Sequence, residues 1–417
     1  MTKKKFLTKL LKTFVLILIS AIVGSILIYL TKWIPQSAIK DNVSGSVVTL
    51  LNEPEYVWNG VAGSKLDNFT DGLILNIAFT ETGNKFLDTM LSPYLKFPDS
   101  IDPTGPLYSY IYENDSSIIT QEYARYWHGH QIIIKPLLCL FSISSIRFIN
   151  MICQILALFC VLLILNKKNH NQLIPPIIVM WITLIPGATF QSLQYSPVYY
   201  ITMFAMFAIV ANYERDDKWE ISYIFELVGI LTAFFDLLTY PIVSLGVPLI
   251  LLFSLSRKSG TLKKNFIQLL QYSIMWSIGY LGMFAAKWVI ASIFTPNNII
   301  ASAFQAFLTR SSNNVSGYTY TFWDSILYNA KMYRNGIFLI LLFAIFSYAF
   351  FLLIKNRKIH INLSLILTVC TVALYPIVWY MLTINHSVIH AIFTYRDLSI
   401  TWYAFATALL LQDKKEK

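Results

Sequence analysis

The sequence predicts an all-α integral membrane protein of about ten transmembrane helices, with juxtamembrane helices in a long first outer loop. Three observations predict it. Of 417 residues, 56% are hydrophobic and only 13% charged, against about 25% charged in a soluble domain. Apolar runs long enough to cross a bilayer recur along the whole chain. Lys and Arg gather in short connectors between those runs, the pattern that orients membrane helices with basic connectors in the cytoplasm. The net charge of +10 therefore sets topology. No nucleic-acid module is present, so nucleic acid is not an expected partner. Cys139, Cys153, Cys160 and Cys370 all lie in apolar segments without metal-ligand spacing. They read as small buried hydrophobes, not as a disulfide framework.

The chain reads as a single transmembrane domain, 1–417. The first span covers 11–33. Lys3, Lys4, Lys5, Lys9 and Lys12 precede it and place the N-terminus in the cytoplasm. The run is too long for a signal peptide and lacks a small-x-small cleavage site, so it reads as a retained helix. Residues 34–145 then stay polar or semi-polar, too long a stretch for an idle connector. This first outer loop holds most of the acids. Within it, 71–90 reads as a surface-lying helix with Leu73, Ile74, Ile77 and Ala78 on one side. A second helical piece, 121–141, carries Arg125, His128, His130 and Lys135 and reads as juxtamembrane or re-entrant.

Later spans are expected at 146–165, 173–190, 197–213, 221–238, 241–255, 266–294, 337–354, 361–382 and 398–411. With the N-terminus inside, the basic clusters at 3–12, 167–168, 215–218, 257–264, 355–358 and 414–417 fall on one side. The acidic first loop, a second outer loop at 295–336 and a third at 383–397 fall on the other. Counting 121–141 as a full span would reverse every later cluster. The protein is thus expected to be a multi-pass protein of the inner or plasma membrane, with both termini cytoplasmic.

Three polar groups converge on the outer face. Asp67 and Asp71 are four residues apart, hence on one helical face. A carboxylate beside a low-dielectric wall becomes a better proton acceptor, so either is a candidate general base, and a shared divalent cation is an open reading. The competing reading is helix capping, with Asp67 or Thr70 at the N-cap and Asp71 in the first turn. In the second group, Arg125, His128 and Lys135 are spaced to share a helical face and suit an anionic headgroup such as a phosphate. Their alternative is snorkelling beside aromatic rings. In the third, His386 and His390 are one helical turn apart, and Arg396 follows. A metal pair needs a third ligand; binding of a phosphate is the main reading, and an Arg396–Asp397 ion pair the alternative. Glu226, Asp236 and Lys287 fall in or near apolar spans, where a charge costs about 2.5–3.5 kcal/mol and must face protein or a cavity. Glu226 and Lys287 are candidates to pair.

The order of these parts resembles the GT-C class of polytopic glycosyltransferases. There, one span leads into a long outer loop that opens with an acidic motif. A Lys-Pro helix and a Gly/Ser-x-x-x-x-Arg start of the second span follow. Asp67–Asp71, Lys135-Pro136-Leu137 and the 142–150 segment around Arg147 stand at those places. Two features depart from the class: Asn68 stands where a second acid is usual, and the 191–196 turn carries no acid. The resemblance implies a polyprenyl-phosphate sugar as donor and a glycan, lipid or protein hydroxyl as acceptor, joined on the outer face. Asp67 or Asp71 would be the base. Arg125, His128, Lys135, His386, His390 and Arg396 would hold the donor phosphate. A polysaccharide polymerase or ligase and a lipid-linked glycan flippase are the alternatives.

Overall fold

The computed structural model describes residues 3–214, 218–255, 261–334 and 362–410, with scattered positions from 338 to 360 and residues 413–414. The chain is mostly helical. In order come α1 (Lys3–Thr31), α2 (Gln36–Asn52), α3 (Asn68–Phe79), α4 (Lys85–Leu91), α5 (Thr104–Tyr112), α6 (Gln131–Leu138) and α7 (Ile143–Lys167). Then come α8 (Ile174–Thr183), α9 (Pro186–Gln191), α10 (Ser196–Asn212), α11 (Lys218–Phe235), α12 (Val243–Leu255), α13 (Leu262–Phe294), α14 (Ile299–Ser311) and α15 (Phe322–Lys331). Helices over Leu363–Ala373, Tyr375–Leu382, Ile384–Ile389, Ala391–Thr394 and Ser399–Leu410 follow.

Among the described residues, four helical stretches are long and apolar enough to cross a membrane: Thr8–Thr31, Ile143–Lys167, Leu262–Phe294 and Leu363–Leu382. Apolar helices over Asn171–Thr183, Ser196–Asn212, Ile221–Phe235 and Val243–Leu255 have only 10–17 residues. At about 1.5 Å per residue they reach about 15–25 Å, less than the roughly 30 Å hydrocarbon layer. The expected span at 173–190 is broken into α8 and α9. Pro186 cannot donate to the helical ladder, and Ile185 before it takes φ 52°. Most of the span expected at 337–354, and the basic cluster at 355–358, lie outside the described residues.

The bundle has two distinct ends. At one, Lys168 pairs with Glu214 at 2.8 Å, the Tyr223 hydroxyl donates to the Lys9 carbonyl at 3.5 Å, and Asn265 Nδ2 donates to Ser364 Oγ at 3.1 Å. Backbone pairing of Ile359–His360 with Asp413–Lys414 belongs to the same end. These contacts join connectors that alternation along the chain puts on one side. The opposite ends of α1, α7, α10, α11 and α13 meet the 34–145 region.

Between α11 and α13 the backbones touch. A Cβ on Gly279 would stand 2.2 Å from the Glu226 carbonyl oxygen, and one on Gly229 2.1 Å from that of Trp276. Small residues permit such an approach between membrane helices, where van der Waals packing replaces the hydrophobic effect. Glu226 and Lys287 do not pair: Glu226 faces Thr13 of α1, whereas Lys287 Nζ donates to the carbonyls of Met90 (2.8 Å) and Thr89 (3.3 Å). Cys153, Cys160 and Cys370 are exposed rather than buried, on outward helix faces.

The 34–145 region is a folded layer, not a surface strip. The helix expected at 71–90 is two helices, because Thr82-Gly83-Asn84 interrupts it and Asn84 caps α4. α3 is buried almost all round rather than on one side. Its Leu75 and Phe79 pack with Val43 and Val47 of α2, Leu107 of α5 and Ile146 of α7. Asn76 clips the layer together: its Nδ2 donates to Leu95 O and Pro103 O, and its Oδ1 accepts from Leu95 N. The helix expected at 121–141 is confined to Gln131–Leu138. Residues 119–121 form a strand paired with Tyr94–Lys96, and 122–130 are irregular, so Arg125 and His128 share no helical face with Lys135.

Candidate functional site

Asp67 and Asp71 occupy the start of α3 and are both buried. Asp67 is the N-cap. Its carboxylate accepts from Thr70 N (3.1 Å) and Thr70 Oγ1 (2.9 Å), while its own N–H donates to Ser192 Oγ. Asp71 is fully enclosed. It takes Arg147 Nη2 at 3.1 Å and the backbone amides of Leu193 (3.1 Å) and Gln194 (3.2 Å). Arg147 also grips Glu53 at 2.6 Å. The acidic motif thus fastens α3 to α7 and to the turn before α10. Burial raises the Asp71 carboxyl to about 6, against the opposing pull of Arg147.

This network makes Arg147 structural. Replacing it with Met would leave Asp71 and Glu53 without their shared cation, in an enclosed site. A loss of about 3–5 kcal/mol is expected. Thermal melting of the purified protein in detergent checks this; an unchanged melting temperature would contradict it.

Lys135 belongs to a different cluster. Its Nζ lies 3.6 Å from Glu81, and Lys32 and Asp88 are within electrostatic range. Lys32 is buried, and burial with Lys135 nearby pushes it down to about 8. His128 and His130 sit beside this cluster, within range of one another, with ring centroids 5.6 Å apart. His128 Nε2 bonds the Tyr123 carbonyl at 2.9 Å. As a neutral ring it donates that proton, leaving Nδ1 as a free acceptor. Burial lowers both histidines, His130 to about 3, so neither is a cation at neutral pH. Arg125 lines an open cleft of about 380 Å³ with Tyr94, Glu122, Asn297 and Asn298.

The third group converges where the loop after α11 meets the 122–130 and 383–397 segments. Gly129 N donates to Phe234 O, and His386 Nε2 bonds Leu238 O at 2.8 Å. Asp236, at the start of that loop, accepts from Thr239 N and Thr239 Oγ1. Its carboxyl is raised by burial to about 7. His386 and His390 do share a face, with ring centroids 4.7 Å apart. Burial holds both below the ordinary histidine range, His390 at about 4. They are acceptors and neutral donors here, not the cations the sequence suggested.

The cation in this place is Arg310, the last-turn residue of α14. Its guanidinium lies 5.8 Å from the Tyr126 ring centre and within electrostatic range of His386, His390 and Tyr280. Among the described residues it has no carboxylate within 4.0 Å. Asp236 and Asp397 are also within range of the Tyr280 hydroxyl. Both Asp397 oxygens and that hydroxyl are enclosed and, among the described residues, have no hydrogen-bond partner. Burial first, and Asp236 second, push the Asp397 carboxyl well above the carboxylate range.

Arg396 faces away from its neighbour Asp397, and the two do not pair. Its Nε donates to Leu184 O and its Nη1 to Ile392 O, both at 3.1 Å. The guanidinium lies 3.9 Å from the Tyr195 ring centre and 4.7 Å from that of Tyr395. It is a filled aromatic cage, with Asp67 at electrostatic distance. Of the residues singled out in the sequence, the structure therefore brings His386 and His390 to Arg310, and Asp236 to Tyr280. Lys135 stays with Lys32, and Asp71 with Arg147. Arg310, Tyr280 and Asp397 were not picked out as site residues. For Arg310 one signal existed: it ends a run whose apolar residues recur at helical spacing. Among the described residues no group of three or more His, Cys, Asp or Glu could hold a metal ion. Compared with known protein families, curated proteins and solved structures, the chain matches none.

Proposed function

We propose that the protein is a membrane glycosyltransferase that moves a sugar from a lipid-phosphate donor to a hydroxyl acceptor at the polar cluster around Tyr280. The observation that carries this reading is that the Tyr280 hydroxyl stands within electrostatic range both of Arg310, a cation with no ion pair among the described residues, and of the buried carboxyls of Asp236 and Asp397. In such a reaction the acceptor oxygen bonds the anomeric carbon as the carbon–oxygen bond to the lipid phosphate breaks. The phosphate leaves with that electron pair, already stable as an anion, so a strong general acid is not needed. A fixed guanidinium where its charge develops lowers the barrier in a low-dielectric site. The acceptor's proton goes to a carboxylate. Asp397, with both oxygens uncommitted, is the base in this reading. Burial and the Asp236 charge raise its carboxyl, which makes its ionised form a stronger proton acceptor.

Asp67 and Asp71 are then the fastening of the site's wall and not its base. In this proposal the outer face is the end that holds the Tyr280 cluster, and the basic connectors lie in the cytoplasm. The test is incubation of the purified protein with polyprenyl-phosphate sugars and a glycan, lipid or protein acceptor. Release of free lipid phosphate is expected. A flippase would bind the same lipid and release none, and that result would overturn the proposal.

A further inference from the structure

α14 presents three different surfaces around its circumference. At about 100° per residue, Ile299, Ala303, Ala306 and Arg310 fall in one sector, and these are the positions buried or half-buried against protein. Ile300, Phe304, Phe307 and Leu308 fall in the next, and they are exposed by 46–58%. Ser302, Gln305 and Thr309 fall in the third, exposed and polar. A helix packed on protein and bathed in water needs only two kinds of surface. One with a separate, exposed apolar sector needs a third phase.

We propose that α14 lies in the outer membrane interface, with Ile300, Phe304, Phe307 and Leu308 in the acyl-chain boundary of the lipid. Two further observations name the occupant. First, the apolar sector continues the exposed row of α13, where Val289, Ile293 and Phe294 lead directly into the turn before α14. α13 is itself one of the helices long and apolar enough to cross a membrane. Second, the next helix repeats the pattern. On α15, Trp323 and Leu327 are exposed by 63% and 54%, whereas Ser325 and Asn329 are buried. Trp and Tyr suit the headgroup boundary, and Tyr328 stands beside that row. The binding energy is that of an interfacial amphipathic helix, which buries its apolar face about 5–10 Å into the headgroup–acyl boundary. Arg310 is the one charged residue of α14 and lies in its protein-facing sector. The lipid surface and the guanidinium thus stand on adjoining sides of one helix.

The test uses the full chain in phosphatidylethanolamine–phosphatidylglycerol vesicles. Cys139, Cys153, Cys160 and Cys370 are replaced by Ala, and one nitroxide label is placed at a time. Labels at Phe304 and Phe307 are expected to collide mainly with oxygen, at depths of about 5–10 Å below the headgroup boundary. Labels at Ser302, Gln305 and Thr309 are expected to collide mainly with a nickel chelate, and one at Ala303 with neither. Nickel-dominated collisions at Phe304 and Phe307 would overturn the proposal. Shielding of both from both reagents would also overturn it, because protein would then cover the face. Should the Cys-free chain not fold, unaltered protein is exposed to a phospholipid carrying a diazirine on its acyl chain. Adducts on Phe304 or Phe307 are the expected result; adducts on α13 with none on α14 contradict it.

Discussion

Arg310→Gln is expected to slow sugar transfer by about 100- to 1,000-fold, the usual loss when one fixed donor to a developing anion is removed. Gln keeps a donor but not the charge, and the leaving phosphate gains its charge only as the bond breaks. The loss should therefore fall mainly on kcat rather than on KM. Arg310 is half-buried and has no carboxylate partner within 4.0 Å among the described residues. Its removal breaks no ion pair, so melting should change little. Steady-state release of lipid phosphate, with melting of the same preparation, reads both quantities. Wild-type turnover in the variant would remove Arg310 from the chemistry.

Asp397→Asn carries the larger expectation, a loss of about 100- to 10,000-fold, the range for removing a positioned base. Asn has the shape of the protonated acid and cannot accept the acceptor's proton. Both Asp397 oxygens are enclosed without partners among the described residues, so the substitution breaks no hydrogen bond there. Stability should change little, because a neutral group of the same shape replaces a carboxyl whose anion burial already disfavours. This separates the residue from Asp71, whose carboxylate holds Arg147 and two backbone amides.

The contrast between those two carboxylates shows what could be read from the sequence. The helical membrane character was legible, because apolar composition and basic connectors act through local rules. The capping reading of Asp67 was legible for the same reason: its partner, Thr70, is three residues away. The pairing of His386 with His390 followed from one turn of helix. What failed was longer in range. Arg147 reaches Asp71 across 76 positions, and no spacing rule anticipates that bond. The continuous helix expected at 121–141 failed because residues 119–121 pair with a strand at 94–96, a tertiary choice that overrides helical periodicity. Instead of pairing with Glu226, Lys287 donates to the carbonyls of Thr89 and Met90, which the last turn of α4 leaves free of helical donors, 198 and 197 positions away in the chain. The charge states also escaped. Histidines that look cationic in the sequence are neutral once enclosed, so Arg310 becomes the cation beside them.

Side-by-side turnover of Asp71→Asn and Asp397→Asn, normalised to folded protein, separates the two placements of the chemistry. Asp71→Asn should retain transfer per folded molecule, and Asp397→Asn should lose nearly all of it with melting unchanged. The reverse result, an inactive but fully folded Asp71→Asn beside an active Asp397→Asn, would return the base to the acidic motif and contradict the placement of the chemistry at Tyr280.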